Sequence, residues 1–172
     1  MGNRGGRFHR VDRTLGARRY VSRRWIACVC EFRGRHRDVW SAGYTELFFL
    51  DEVTALAAGH RPCFECRRAD ALRFSAAFGG LDADAMDHAL DAERRAGRAK
   101  RRHRMAIDTL PDGAMIAHGG AAFAVRGDAL LRWSFSGYGP PQARPRGIEA
   151  DVLTPPSICA ALAQGYTPLT RW

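Results

Sequence analysis

The chain has 172 residues, 46% of them hydrophobic, and a formal net charge of +9. That apolar content suffices for a packed core in one domain or two small modules, and it excludes a wholly disordered chain. No run approaches about 18 uninterrupted apolar residues, so no membrane-spanning helix is expected. The Arg-rich start, MGNRGGRFHRVDRTLG, lacks the apolar stretch of a secretory signal. MGNRGG has the outline of a myristoylation signal but carries Gly6 where Ser or Thr is needed. Five cysteines, an odd number, suit a reducing, cytoplasmic setting, where metal sites or buried thiols are expected rather than disulfides.

In chain order, residues 1–17 are rich in Gly and Arg, lack periodicity, and are expected as a flexible basic arm. Trp25, Ile26, Val29 and Phe32 mark a strand near 20–33, and YTELFFL (44–50) a returning strand, together a β-hairpin. Asp51 is suited to cap a short helix through VTALAA, stopped at Gly59. A second helix is predicted from near Cys63 to Phe78, which makes 18–80 one module. A further helix fits 82–95, DADAMDHALDAERR, and with the basic run after it makes 81–109 a helical basic bridge. From 110 onward, short apolar runs alternate with tight turns. AMIAH, AAFAV and ALLRW predict a three-stranded meander, PPQARPRG (140–147) a proline-rich connector, and EADVL a last strand. PPSICAALAQ predicts a final helix closed at Gly165. The fold class is α+β, ending in a small β-rich module over 110–172.

The positive charge is concentrated. Residues 1–40 carry eleven arginines against three acids, and RRAGRAKRRHR (94–104) carries seven Lys or Arg and no acid. The remainder of the chain is net acidic. Two basic blocks in an otherwise acidic chain suit a phosphate-bearing partner, DNA before RNA, with an acidic protein partner as the alternative. The candidate contacts are Arg19, Arg23, Arg24, Arg33, Arg67, Arg68, Arg98, Lys100, Arg101, Arg102 and Arg104. The single lysine among 26 arginines reflects residue choice and does not explain the clustering.

GHRPCFECRR (59–68) places Cys63 and Cys66 at the spacing that lets two thiolates converge on a metal at a helix start. Upstream, Cys28 and Cys30 share one strand face with Ile26 and Phe32, which is either apolar core or a second pair of ligands. On a flat strand two such side chains stand about 6–7 Å apart. Sulfurs on one tetrahedral zinc lie about 3.8 Å apart, so a bulge or strand end is required to use both. His36 and His60 are the substitutes. FFLDEVTALAAGHRPCFECRR (48–68) resembles the metal-binding domain of the Ada alkylation-response family. The resemblance rests on Phe48, Ala55, Ala57-Ala58-Gly59, Arg61-Pro62-Cys63 and Cys66, with His60 at an aromatic position, and covers about 20 residues. It implies a zinc site completed by upstream thiols, here Cys28 and Cys30, although the family spaces that pair Cys-x-x-x-Cys. It also implies, as one outcome, a zinc thiolate that accepts a methyl group from a DNA phosphotriester.

A closed four-ligand zinc stabilises a fold and leaves no position for water. The expectation is therefore a zinc-stabilised nucleic-acid-binding protein, linked to DNA repair or regulation. A metal-dependent nuclease using His88, Asp91 and Glu93 is the enzymatic alternative, although no HExxH, GxSxG or P-loop is present. Cys159 reads as core, His118 as a hairpin residue, and Trp133, Tyr138, Tyr166 and Trp172 as core or as base-stacking rings.

Overall fold

A computed structural model describes residues 1–35 and 38–172. The alternating apolar runs after 110 form strands, as their period of two requires. They are β7 (Met115–His118), β8 (Ala121–Arg126) and β9 (Ala129–Ser134), continued by β10 (Gly137–Ala143). Gly119 and Gly120, at φ +55° and +77°, make the two-residue turn between β7 and β8 that only positive φ allows. Two further strands, β6 (His103–Ala106) and β11 (Glu149–Val152), complete an antiparallel six-stranded sheet of order β10-β9-β8-β7-β11-β6.

Two expectations are corrected here. The prolines at 140 and 141 lie in β10, not in a connector. β10 is an edge strand whose register shifts between Tyr138 and Pro141, and an edge tolerates residues that cannot donate to the ladder. The basic run 95–106 is not helical: it forms a tight hairpin of β4 (Arg95–Ala96) and β5 (Ala99–Lys100), then β6 at the other sheet edge.

Alternate residues of the sheet face two cores. Phe123 and Val125 face one with Leu56, Phe74, Met86, Leu90, Ile116, Ile158 and Tyr166; Met115 and Ala124 face the other with Val53 and Ala57. The helices supplying these residues are α1 (Glu52–Ala57), α2 (Arg68–Ala77), α3 (Ala83–Arg94) and α4 (Pro156–Ala163). Asp51 and Thr54 form a reciprocal capping box on α1, and Asp82 caps α3 by accepting from Ala85 N–H. The larger core draws on residues from 56 to 166, so it crosses the boundaries expected near 80 and 110. Among the described residues no helix is long and apolar enough to cross a membrane.

At the N-terminal end, β1 (Gly2–Arg4), β2 (Trp25–Ala27) and β3 (Arg61–Pro62) form a small sheet in that order, with β2 and β3 parallel. The expected hairpin of 20–33 with 44–50 does not form, because β1 occupies the edge the returning strand needs. Leu47 instead exchanges backbone hydrogen bonds of 2.6 and 2.8 Å with Gly2. Residues 1–17, unstructured on the sequence reading, are anchored too. Phe8 and His9 are buried, and both donate their N–H to the Thr45 hydroxyl at 2.9 and 3.1 Å.

Candidate metal centre and basic face

β2 ends at Ala27 and runs parallel to β3, whose last residue is Pro62, with Ala27 opposite Pro62. The next residues along the two strands are therefore Cys28 and Cys63. Cys63 N–H donates to Ala27 O at 3.0 Å, which fixes that pairing. Cys66 follows in the turn that leads into α2. The sulfurs of Cys28, Cys63 and Cys66 all lie within 4.8 Å of one another. Tetrahedral thiolates on zinc require about 3.8 Å, so the donor set fits a soft divalent ion with little adjustment.

Backbone donors support the charged form of the sulfurs. Glu65 N–H reaches Cys63 Sγ at 3.3 Å, Cys66 N–H is directed at the same sulfur, and Val29 N–H at Cys66. The Cys63 thiol is drawn down to about 5, first by the hydrogen bond from Cys28 and then, against burial, by those amides. Cys28 moves up, chiefly because it holds the proton shared with Cys63, and burial raises Cys66.

Cys30 does not join them. The strand ends one residue before Cys28, and the chain carries Cys30 out to the surface, 3.9 Å from the N-terminal amine. His60 is also removed from the ligand set. Its ring is fully buried, with its centroid 4.8 Å from Phe49 and 5.5 Å from Trp25, and neither ring nitrogen has a partner. It occupies its aromatic position as an aromatic, and burial keeps it neutral by holding its pKa well below the histidine range. His36 lies outside the described residues. Sequence reasoning missed the element that locks the motif in place: Arg61 makes a bidentate pair with Asp87 of α3 at 2.9 and 2.7 Å, both side chains buried.

The basic blocks, remote in sequence, meet on α3. The Arg94 guanidinium, wholly buried, donates to the carbonyls of Gly59 and Arg23 and stacks on Trp25 at 4.0 Å. Gly59 has φ +83°, and a Cβ there would lie 2.8 Å from Arg94 Cδ, so both backbone and space demand glycine. Arg95 reaches the Tyr20 hydroxyl at 2.6 Å, and Arg23 donates to His88 Nδ1 at 2.8 Å. Arg19, Arg23, Arg24, Arg33, Arg68, Arg98, Arg101, Arg102 and Arg104 are exposed. Arg24, Arg102 and Arg104 also make surface pairs with Asp84, Asp151 and Glu149, contacts worth roughly 0–1 kcal/mol each.

Two candidates fail as phosphate ligands. Arg67 is buried between Glu52 and Asp70, at 2.7 and 2.8 Å, so its charge is already spent inside the fold. Lys100 exposes its stem but turns its ammonium inward onto Ala57 O, at 2.8 Å, near the end of α1. Burial, then Arg4 and Arg94, bring it down to about 8. The residues of the nuclease alternative are each engaged within the fold: Asp91 pairs with Arg94 and Arg95, Glu93 accepts from Ser157, and His88 from Arg23. In the C-terminal part, Cys159 is buried and Tyr138 donates to Asp51 at 3.0 Å while its ring meets Trp172.

No protein-family model matches the chain, and neither curated proteins nor solved structures yield a match.

Proposed function

We propose that this chain is a zinc-stabilised protein that binds nucleic acid, DNA before RNA, through one Arg-rich face. The observation that carries the reading is the convergence of residues 18–24 with 94–101 across α3, through Arg94 to Arg23 O and Arg95 to Tyr20. Exposed cations from sequence blocks some 70 residues apart, pooled in this way, build a local positive potential suited to a polyanion. Cys28, Cys63 and Cys66 would hold the metal, and the resemblance of 48–68 to the Ada metal domain accords with that set. The metal supplies folding free energy at the junction of β2, β3 and α2, roughly 10 kcal/mol in small modules, and so fixes the segment that bears Arg23 and Arg24.

The test is a salt titration of oligonucleotide binding. Log affinity is expected to fall linearly with log salt, by about 0.9 per duplex phosphate neutralised. Arg98 and Arg101 are exposed in and beside the β4–β5 hairpin, and replacing both with Ala should flatten the slope by about 2. The loss should be equal across sequences, since phosphate contacts carry no base information. An unchanged slope, or no binding to DNA or RNA at low salt, overturns the proposal.

A further inference from the structure

All but one of the chain's 27 strong cations are arginines, which stay protonated, and the one lysine stands where a charge is poorly supported. Lys100 ends β5, opposite Arg95 in the tight hairpin, and turns its nitrogen onto Ala57 O at 2.8 Å. Two residues further along, Gly59 O takes the wholly buried Arg94. Arg94 and Arg4 both lie on the Trp25 ring, at 4.0 and 3.9 Å. The charged groups acting on Lys100 are all cations: Arg4 of β1, Arg94 of α3, and Arg102. Asp91 is shared between Arg94 and Arg95, Asp87 is taken by Arg61, and the Nε atoms of Arg4 and Arg94 are buried without partners. The cluster therefore holds more positive charge than the fold compensates, and the member able to give its charge up is the lysine. Burial and the three arginines bring it down to about 8. At neutral pH a substantial share is then free amine, roughly a hundredfold more than in an ordinary lysine. Its carbonyl partner only accepts, which leaves the amine lone pair uncommitted, and the exposed stem gives an approach to it.

We propose that Lys100 is a nucleophilic amine that condenses with the aldehyde of an abasic nucleotide in a DNA strand held on the basic face. The inference rests on the nucleic-acid reading above and gives it a substrate class. An intact strand offers an amine no aldehyde, whereas a strand that has lost a base exposes the C1′ aldehyde of its opened sugar between two phosphates. Arg98, Arg101 and Arg102, exposed in and beside the same hairpin, supply the cations that those phosphates require. The amine lone pair forms a bond to C1′, and the carbonyl oxygen leaves as water with the two amine protons. The product is an imine, reached without oxidation or reduction.

The experiment incubates zinc-loaded protein with a single strand carrying one abasic site, reduces any imine with cyanoborohydride, and maps the adduct by peptide mass. The adduct is expected on Lys100 of the wild-type chain, and none is expected with the intact strand. Lys100→Arg keeps the charge but not the nucleophile, and should cut the trapped product by about tenfold or more while strand binding is unchanged. An adduct mapped to the Met1 amine, or trapping that survives in Lys100→Arg, overturns the proposal. Pyridoxal phosphate, a small phosphorylated aldehyde, is the second probe: if it modifies Lys100 while the abasic strand does not, the strand is not the substrate and the proposal falls. Binding of the abasic strand with no adduct also overturns it and leaves the nucleic-acid reading in place. Failure of both strands to bind overturns this proposal and that reading together.

Discussion

Asp87→Asn tests whether the buried pair behind the cysteine motif holds the fold. Arg61 and Asp87 side chains are 4% and 3% exposed, and the pair is bidentate at 2.9 and 2.7 Å. The substitution keeps the shape and one acceptor but removes the counter-charge, which leaves a guanidinium buried beside Pro62 and Cys63. Breaking such a pair on one side costs about 3–5 kcal/mol. In urea, with a slope of about 2 kcal/mol/M, the unfolding midpoint of zinc-loaded protein should fall by about 2 M. The double replacement Arg61→Met with Asp87→Leu removes both charges and should recover most of that loss, because the cost lies in the orphaned charge. A midpoint shift below about 0.3 M for Asp87→Asn refutes the reasoning, as does a double variant no more stable than the single one.

His60→Phe should raise thermal stability, since it keeps the ring between Phe49 and Trp25 and removes two buried ring nitrogens without partners, each costing about 1–3 kcal/mol. It should also flatten the acid limb. Below pH about 6.5 the unfolded chain protonates this histidine and the folded one does not, so wild-type stability falls toward acid by up to about 1.4 kcal/mol per pH unit. A parallel fall in the variant between pH 6.5 and 5 contradicts this. Glu52→Gln should free the C-terminal residues. Its carboxylate accepts from Arg67, Tyr166 and Leu169 at 2.7, 2.7 and 2.9 Å, and hydrogen exchange over 166–172 should rise sharply. Unchanged protection there would show that the carboxylate does not anchor the segment.

Much of the sheet was legible because its signals are local. Period-two apolar runs and paired glycines at 119–120 are sufficient for β7 to β9, and the Cys63–Cys66 spacing is sufficient to mark the site. What was not legible depends on distant partners. Nothing local to residues 1–17 tells that Gly2 takes the edge that Leu47 was expected to fill, or that Thr45 captures Phe8 and His9. Cys28 and Cys30 are equivalent on a continuous strand, and only the end of β2 at Ala27 separates them. Arg67 looks like any arginine of a basic run until Glu52, fifteen residues upstream, is found against it. Proline misled in the opposite direction, since a Pro-Pro pair reads as a connector and an edge strand admits it as readily.

Metal analysis of freshly purified, unchelated protein and its cysteine variants bears most directly on the centre described here. One zinc per chain is expected in the wild type and in Cys30→Ser, whose sulfur stands outside the cluster. Cys28→Ser, Cys63→Ser and Cys66→Ser should each lose it. A wild-type protein without transition metal, or one whose zinc survives Cys28→Ser and is lost in Cys30→Ser, would contradict the three-cysteine site.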